Sequence, residues 1–214
     1  MATGYETTVF FGDSLTDTGN LYQLTADALH VAWPPDAYGY TQKFSNGPLW
    51  SQVAASQLGQ ANTLNYAFGG AEAVGPQTLE EYMVISGLPE GLVKDPSYLN
   101  FDINLSAQVE RFLNDHTGEG LSDFSATLLI GLNDYARFVP SSSDPAIIMQ
   151  EATALIAAVT TATLEAALQL AQAGVGQIVL NTLPKANFLP LIESQPEPLK
   201  SLAPLAFSTH NDII

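Results

Sequence analysis

"VFFGDSLTDTGN" (residues 9–20) sets an apolar run against Gly-Asp-Ser, with Asp17, Thr18, Gly19 and Asn20 directly behind. With Thr7 and Thr8 in front of it, the run is β-branched and aromatic and ends on Gly12, the signature of a buried first strand. Ser14 therefore stands just past a strand end, at the start of whatever helix follows. Free backbone N–H groups and the helix dipole favour negative charge there. Two roles are open to it on this pattern: a cap for that helix, or a nucleophile displayed at the strand's end.

Outward from this stretch the chain alternates strand and helix. "WPPDAYGYTQKFSNGP" (33–48) is rich in Pro, Gly and aromatics and reads as a packed loop. Residues 48–58 place Leu49, Trp50, Val53, Ala54 and Leu58 on one helical face, with Pro48 in the first turn and Gly59 at the end. "TLNYAFGG" (63–70) follows as a short strand running into paired glycines. Residues 74–100 are broken by Gly and Pro and read as surface loop with some helix. Leu105, Val109, Phe112 and Leu113 have helical spacing, with Asn104 or Ser106 as cap. A third apolar strand spans 126–130 and breaks at Gly131. Residues 144–173 form the clearest helix, with Asp144 as cap and Pro145 first, ending in "AGVG" before a fourth strand in "QIVLNTLP".

Such alternation implies right-handed crossovers and a parallel sheet covered on both faces, a three-layer α/β/α architecture of flavodoxin-like type. Ligands of such sheets bind beyond the carboxyl ends of the strands. That rim gathers four turns: Gly12 to Asp17, Phe68 to Gly70, Gly131 to Asp134, and Thr182 to Asn187.

Composition narrows the partners. At 214 residues the chain suits one domain, and 46% hydrophobic against 13% charged residues excludes disorder. With 6 Lys+Arg against 22 Asp+Glu, a formal charge of -16 repels phosphate backbones and anionic membrane surfaces, so no nucleic-acid partner is expected. No run of uninterrupted apolar residues approaches the ~18 of a membrane span, so no stable membrane insertion is expected either. The absence of cysteine removes disulfides, thiolate metal sites and a cysteine nucleophile. The amino terminus has no basic segment followed by an apolar one, hence no signal peptide in this chain.

Three rim positions bear on chemistry. A serine hydroxyl needs a base, and donors for the oxyanion formed when it attacks a carbonyl. Gly70, in "NYAFGGA", lets backbone approach a ligand and offers an N–H, or simply makes a tight turn. Asn133, in "IGLNDY", offers a side-chain amide at the same rim, or closes the strand as an Asx turn. Asp13, Asp17 and Asp134 read as loop-shaping acceptors of backbone N–H groups, and their spacing shows no converging metal ligands.

In order and content these blocks resemble the GDSL, or SGNH, family of lipases and esterases: "FGDSLTDTGN" its nucleophile block, "NYAFGGA" its glycine block, and "IGLNDY" its asparagine block. "YTQKFSNGPLW" and "LPKANFLP" resemble its connecting segments, so the likeness runs along essentially the whole chain. It implies a serine hydrolase cleaving carboxylic esters, lipid or short acyl, without a cofactor or metal. Ser14 would be the nucleophile, with its own N–H, the Gly70 N–H and the Asn133 amide as oxyanion donors. Export, common in the family, implies a secreted or surface protein. Residue 16 is Thr where the nucleophile elbow of α/β-hydrolases requires Gly.

The family's late Asp-x-x-His block finds no counterpart. His30, in "DALH", has the spacing but follows the nucleophile block directly; His116 falls at the opposite rim; His210 lies in "FSTHNDII", where the resemblance suggests the start of a helix. The expectation is a single domain over 1–214 lacking its final strand and helix, with an apolar edge at "QIVLNT", completed by a further segment or a second polypeptide. The alternative is a degenerate module that binds an ester, glycan or protein partner without turning it over. A nucleotide-binding reading fails, since no Walker-type glycine loop exists and "GVGQIV" lacks a third glycine and precedes a strand.

Overall fold

The computed structural model describes residues 4–36, 39–59, 62–186, 189–194, 197 and 199–214. Four parallel strands, β1 (Thr7–Gly12), β2 (Asn62–Asn65), β3 (Phe124–Leu129) and β4 (Gln177–Leu180), form one sheet in the order β2-β1-β3-β4. The order steps one way from β1 to β2 and the other way from β2 through β3 to β4. With right-handed crossovers this puts the helices after β1 on one face and those before β3 and β4 on the other. The result is a three-layer α/β/α arrangement, as expected. β1 and β3 run in register from Thr7↔Phe124 to Gly12↔Leu129, and all four carboxyl ends reach one rim.

The two central strands are covered on both faces, so Val9, Phe11, Ala126 and Leu128 are all buried. β4 is an outer strand, with Gln177 and Val179 exposed. On one face α4 (Leu105–Asp115) and α6 (Pro145–Gln172) pack together, α4 also on β1 and α6 on β4. Asn104 caps α4 by accepting the Ala107 N–H at 2.9 Å, which selects it over Ser106. Asp144 caps α6 through the Ala146 N–H at 2.8 Å, with Pro145 in the first turn and Gly174 (φ +92°) past the end. α6 is long and apolar enough to cross a membrane by length and composition alone, beyond what an uninterrupted-run criterion detects. Here its Ile156, Val159, Ala166 and Leu170 are buried.

Two expectations are corrected and a third is given its bounds. The helix expected over 48–58 is α2 (Trp50–Leu58), preceded by Leu49, so Pro48 lies outside it. Its expected apolar face is not buried: Val53 and Leu58 are exposed and Ser51 points inward. The reason is polar anchoring, because Ser51 Oγ donates to the Thr16 carbonyl (3.3 Å) and the Trp50 indole N–H to Thr16 Oγ1 (3.2 Å). Within the stretch read as surface loop with some helix, that helix is α3 (Leu79–Ile85). Thr78 accepts the Glu81 N–H at 3.2 Å while the Glu81 carboxylate accepts the Thr78 N–H at 2.7 Å. His210 falls in the last turn of α8 (Leu199–Ile213), not at a helix start. The remaining helices are α1 (Asn20–Ala28), α5 (Leu132–Ala136) and α7 (Pro190–Glu193).

The exit of β1 is fixed by two contacts. A Cβ on Gly12 would lie 2.2 Å from the Leu129 carbonyl oxygen, so only glycine lets β1 approach β3 this closely before turning. Gln108, fully buried on α4, accepts the Gly12 N–H at 2.9 Å and donates to the Gly12 and Ile103 carbonyls, each at 2.9 Å. Q108L removes the partner of the Gly12 N–H and of the Ile103 carbonyl, while the Gly12 carbonyl keeps the Phe68 N–H at 3.1 Å, so urea unfolding is expected to show a loss of about 3 kcal/mol, at 1–3 kcal/mol per orphaned group. A loss below ~0.5 kcal/mol contradicts this account.

Candidate active site

Ser14 follows directly on this constrained exit. Asp13 accepts the Thr16 and Asp17 N–H groups on its carbonyl (both 2.9 Å) and the Leu15 N–H on Oδ1 (3.0 Å), winding residues 13–17 into a tight turn. The Ser14 N–H itself has no hydrogen-bond partner among the described residues, and neither has its hydroxyl. Ser14 is half-buried.

Asp17 ties that turn to the glycine turn. Its Oδ1 accepts the N–H groups of Gly19 (2.7 Å) and Asn20 (2.6 Å), and its Oδ2 those of Leu21 (3.1 Å) and Gly69 (2.7 Å). One carboxylate thus caps α1 in place of a side chain at Gly19, and holds the glycine block beside the serine turn. Asn20 and Asn65 add cross-links: Asn20 Nδ2 donates to the carbonyls of Asn65 and Ala67, and Asn65 Nδ2 to that of Thr16, all at 2.8 Å.

Gly70 adopts φ +78°, and a Cβ there would meet Tyr82 Cε2 of α3 at 2.4 Å, so conformation and space both require glycine. Its carbonyl accepts from Gln77 Nε2 (3.0 Å) and Arg137 Nη1 (3.1 Å), while its N–H has no partner among the described residues.

Asn133 lies on α5, the short helix that β3 enters at Gly131 (φ +110°). Its Nδ2 donates one hydrogen to the Ala71 carbonyl at 2.9 Å, which leaves the second hydrogen of that amide unused. The neighbouring Asp134 accepts the N–H groups of Ala73 (2.9 Å) and Val74 (3.1 Å). The turns carrying Ser14 and Asn133 are therefore each bonded directly to the glycine turn, and three unpaired donors and a hydroxyl sit on three adjoining loops. The fourth turn is held differently: Asn211 of α8 accepts the Leu183 N–H (2.7 Å) and donates to its carbonyl (3.0 Å). Asn187 of that turn lies outside the described residues.

The three acids shape loops, as their positions suggested. Their environment is dry: burial pushes the Asp13 carboxyl up to about 7, the Asp134 charge adding and the Arg137 charge opposing, and burial likewise pushes Asp134 up to about 7. Burial raises Asp17 too, against the four N–H groups that favour its charged form. Asp13 Oδ2 is buried with no partner among the described residues.

No histidine bonds to Ser14. His30 is exposed. His116 stacks between Phe112 and Phe124 with Nδ1 2.7 Å from Glu119, near the opposite rim. His210 is fully buried, its Nδ1 3.0 Å from the Tyr135 hydroxyl and its Cε1 against Gly131; burial holds it down at about 4. Sequence reasoning missed Gln77, Gln108 and Arg137. For Arg137 a signal existed, one of only 6 basic residues standing just after the asparagine block.

The Asp13 shift makes stability depend on pH. Between its ordinary value of 3.8 and about 7, the folded chain keeps a proton that the unfolded chain has released, so the group's contribution falls as pH rises through that window and is flat above it. His210 acts oppositely: its contribution is present above 6.5 and is lost as pH falls towards 4. D13N is therefore expected to gain melting temperature over wild type progressively from pH 4 to 7, then hold a constant difference. D134N should melt lower throughout, because one amide oxygen replaces two acceptors for the Ala73 and Val74 N–H groups. A pH-independent difference for D13N contradicts the assignment.

A family model described as GDSL-like Lipase/Acylhydrolase matches residues 8–211. The Phosphatidylcholine-sterol acyltransferase of Aeromonas hydrophila is 28% identical over 187 residues, which cover 87% of this chain and 47% of that protein. The chain thus spans about half the length of this curated relative. A match over nearly the whole sequence, on a parallel sheet whose rim carries the serine, glycine and asparagine turns, makes this chain a member of the GDSL-like lipase/acylhydrolase family.

Proposed function

We propose that the chain cleaves carboxylic esters, lipid or short acyl, through an acyl-enzyme on Ser14, and that residues 1–214 act as one domain in doing so. The observation carrying this reading is the set of unpaired donors. Around Gly70 nearly every backbone polar group is bonded within the protein, yet the N–H groups of Ser14 and Gly70 and one hydrogen of the Asn133 amide are not. Fixed donors that face no internal acceptor are what an oxyanion requires.

In the proposed reaction Ser14 Oγ attacks the ester carbonyl carbon, and the carbonyl π electrons move onto oxygen, where the three donors receive them. Collapse of that intermediate expels the alcohol, which takes up the serine's proton, and water then splits the acyl-enzyme to release the acid. The chemistry needs a proton acceptor other than His30, His116 and His210 as they stand, and the reading gives this role to a histidine from a further segment or a second polypeptide. No cofactor, metal, nucleic acid or membrane insertion enters the reaction.

Transfer to an alcohol instead of water is the second reading, favoured by the acyltransferase relative. It uses the same acyl-enzyme, and differs only in which hydroxyl attacks it.

The test is covalent labelling with a fluorophosphonate. Wild type should label at Ser14, S14A should not, and N133A should label on the order of 10²-fold more slowly, the usual effect of one lost oxyanion donor. Wild type that stays unlabelled with the histidine-bearing segment or polypeptide present sinks the hydrolase reading in favour of a binding module. Deacylation of a labelled ester in water against added alcohol then separates hydrolysis from transfer.

A further inference from the structure

We infer that Arg137 is a positioning residue for the oxyanion site, a guanidinium that aims the Gly70 N–H by gripping the peptide on the other side of the same Cα. This rests on the hydrolase reading proposed above. Arg137 ends α5, four residues past Asn133, and its own N–H donates to the Asn133 carbonyl at 3.0 Å. Its Nη1 reaches the Gly70 carbonyl at 3.1 Å and Glu72 Oε1 at 2.6 Å, and the ion pair is largely shielded, with side chains 23% and 21% exposed.

One short helix therefore holds two successive carbonyls of the glycine turn, that of Gly70 through Arg137 and that of Ala71 through Asn133. Gln77, buried at 1% exposure, completes the grip by donating to the Gly70 carbonyl and accepting the Glu72 N–H at 2.9 Å. Gly70 has no side chain to restrict it and sits at φ +78°, so the direction of its N–H is set only by what holds its neighbours. Asp17 fixes the Phe68–Gly69 peptide through the Gly69 N–H, and Arg137 with Gln77 the Gly70–Ala71 peptide, so the peptide that carries the open N–H is held from both sides.

The charge matters as well as the bond. Arg137 is a cation among the carboxyls of Asp13, Asp134 and Glu72, and it opposes the burial that pushes Asp13 towards its neutral form. A neutral donor at position 137 would hold the carbonyl but leave these acids without a counter-charge. Both bonds leave one nitrogen, Nη1, so a lysine ammonium would supply the charge and the donors, without the planar group that orients them.

The experiment compares wild type, R137M and R137K in the protein together with the segment or polypeptide that supplies the histidine, with p-nitrophenyl butyrate turnover and fluorophosphonate labelling, alongside hydrogen exchange across residues 69–72. The expected result is a kcat for R137M about tenfold to a hundredfold below wild type with KM within twofold, since an aimed donor acts on the transition state more than on the bound ester. R137K should recover part of the loss, and exchange across 69–72 should be faster in R137M. An active wild type with R137M unchanged in kcat overturns the Arg137 role and leaves the hydrolase reading standing, as does a loss seen only as raised KM. An inactive, unlabelled wild type overturns the hydrolase reading and the catalytic part of this one. Hydrogen exchange then decides the remainder: faster exchange in R137M supports the grip on the glycine turn, and unchanged exchange removes that too.

Discussion

Four backbone N–H groups converge on the Asp17 carboxylate, and the geometry of the rim follows from that convergence. Two come from the first turn of α1, one from Gly19 before it, and one from Gly69 across the strands. A carboxylate this deeply buried is costly to ionise, and only several charge-assisted hydrogen bonds offset the loss of water. The arrangement is therefore intolerant of displacement: moving the glycine block away leaves a partly satisfied buried acid. Asp134 repeats the device from the end of β3, with two N–H groups in place of four.

These staples divide the donors of the rim into those already used and those left open. Gly69, Ala71, Glu72, Ala73 and Val74 all give their N–H groups to internal acceptors, while Gly70 between them does not. Because the surrounding backbone is fixed in advance, little reorganisation remains to be done when charge develops on a substrate atom. Buried acids at the rim are thus structural partners of the open donors: they occupy the competing N–H groups and lock the loops that present the rest.

The sequence made the sheet and its rim readable because both rest on local signals. β1 and β3 each run into apolar residues towards the rim, 9–11 and 128–130, α6 has Asp144, Pro145 and a glycine stop, and the three blocks of the family resemblance occur in order. What escaped depended on partners distant in the chain. α3 is only seven residues long, too short for periodicity to speak, and Val84 and Ile85 on it are exposed; its legible sign was the Thr78 and Glu81 cap. α2 was misjudged because its contact with the core runs through Ser51 and Trp50 hydrogen bonds to Thr16, which no apolar pattern encodes. Gln108 and Arg137 act over separations of 96 and 67 residues; nothing local marks the glutamine, and the only sign of the arginine is its rarity beside the asparagine block. The turns of the rim were legible by type and order, the bonding between them was not.

The excess of acidic side chains, -16 in formal charge, acts on what leaves the rim more than on what arrives. In the proposed reaction an uncharged ester would feel little of this field as it diffuses in, but the fatty or short-chain acid released would ionise in neutral water and become an anion. Within the screening distance of roughly 8 Å at physiological salt, such an anion is driven outward by the carboxylates around it. Were the proposed reaction to turn over, clearance of the crevice would in this way be assisted by the chain's acidic composition, and high salt would weaken that expulsion.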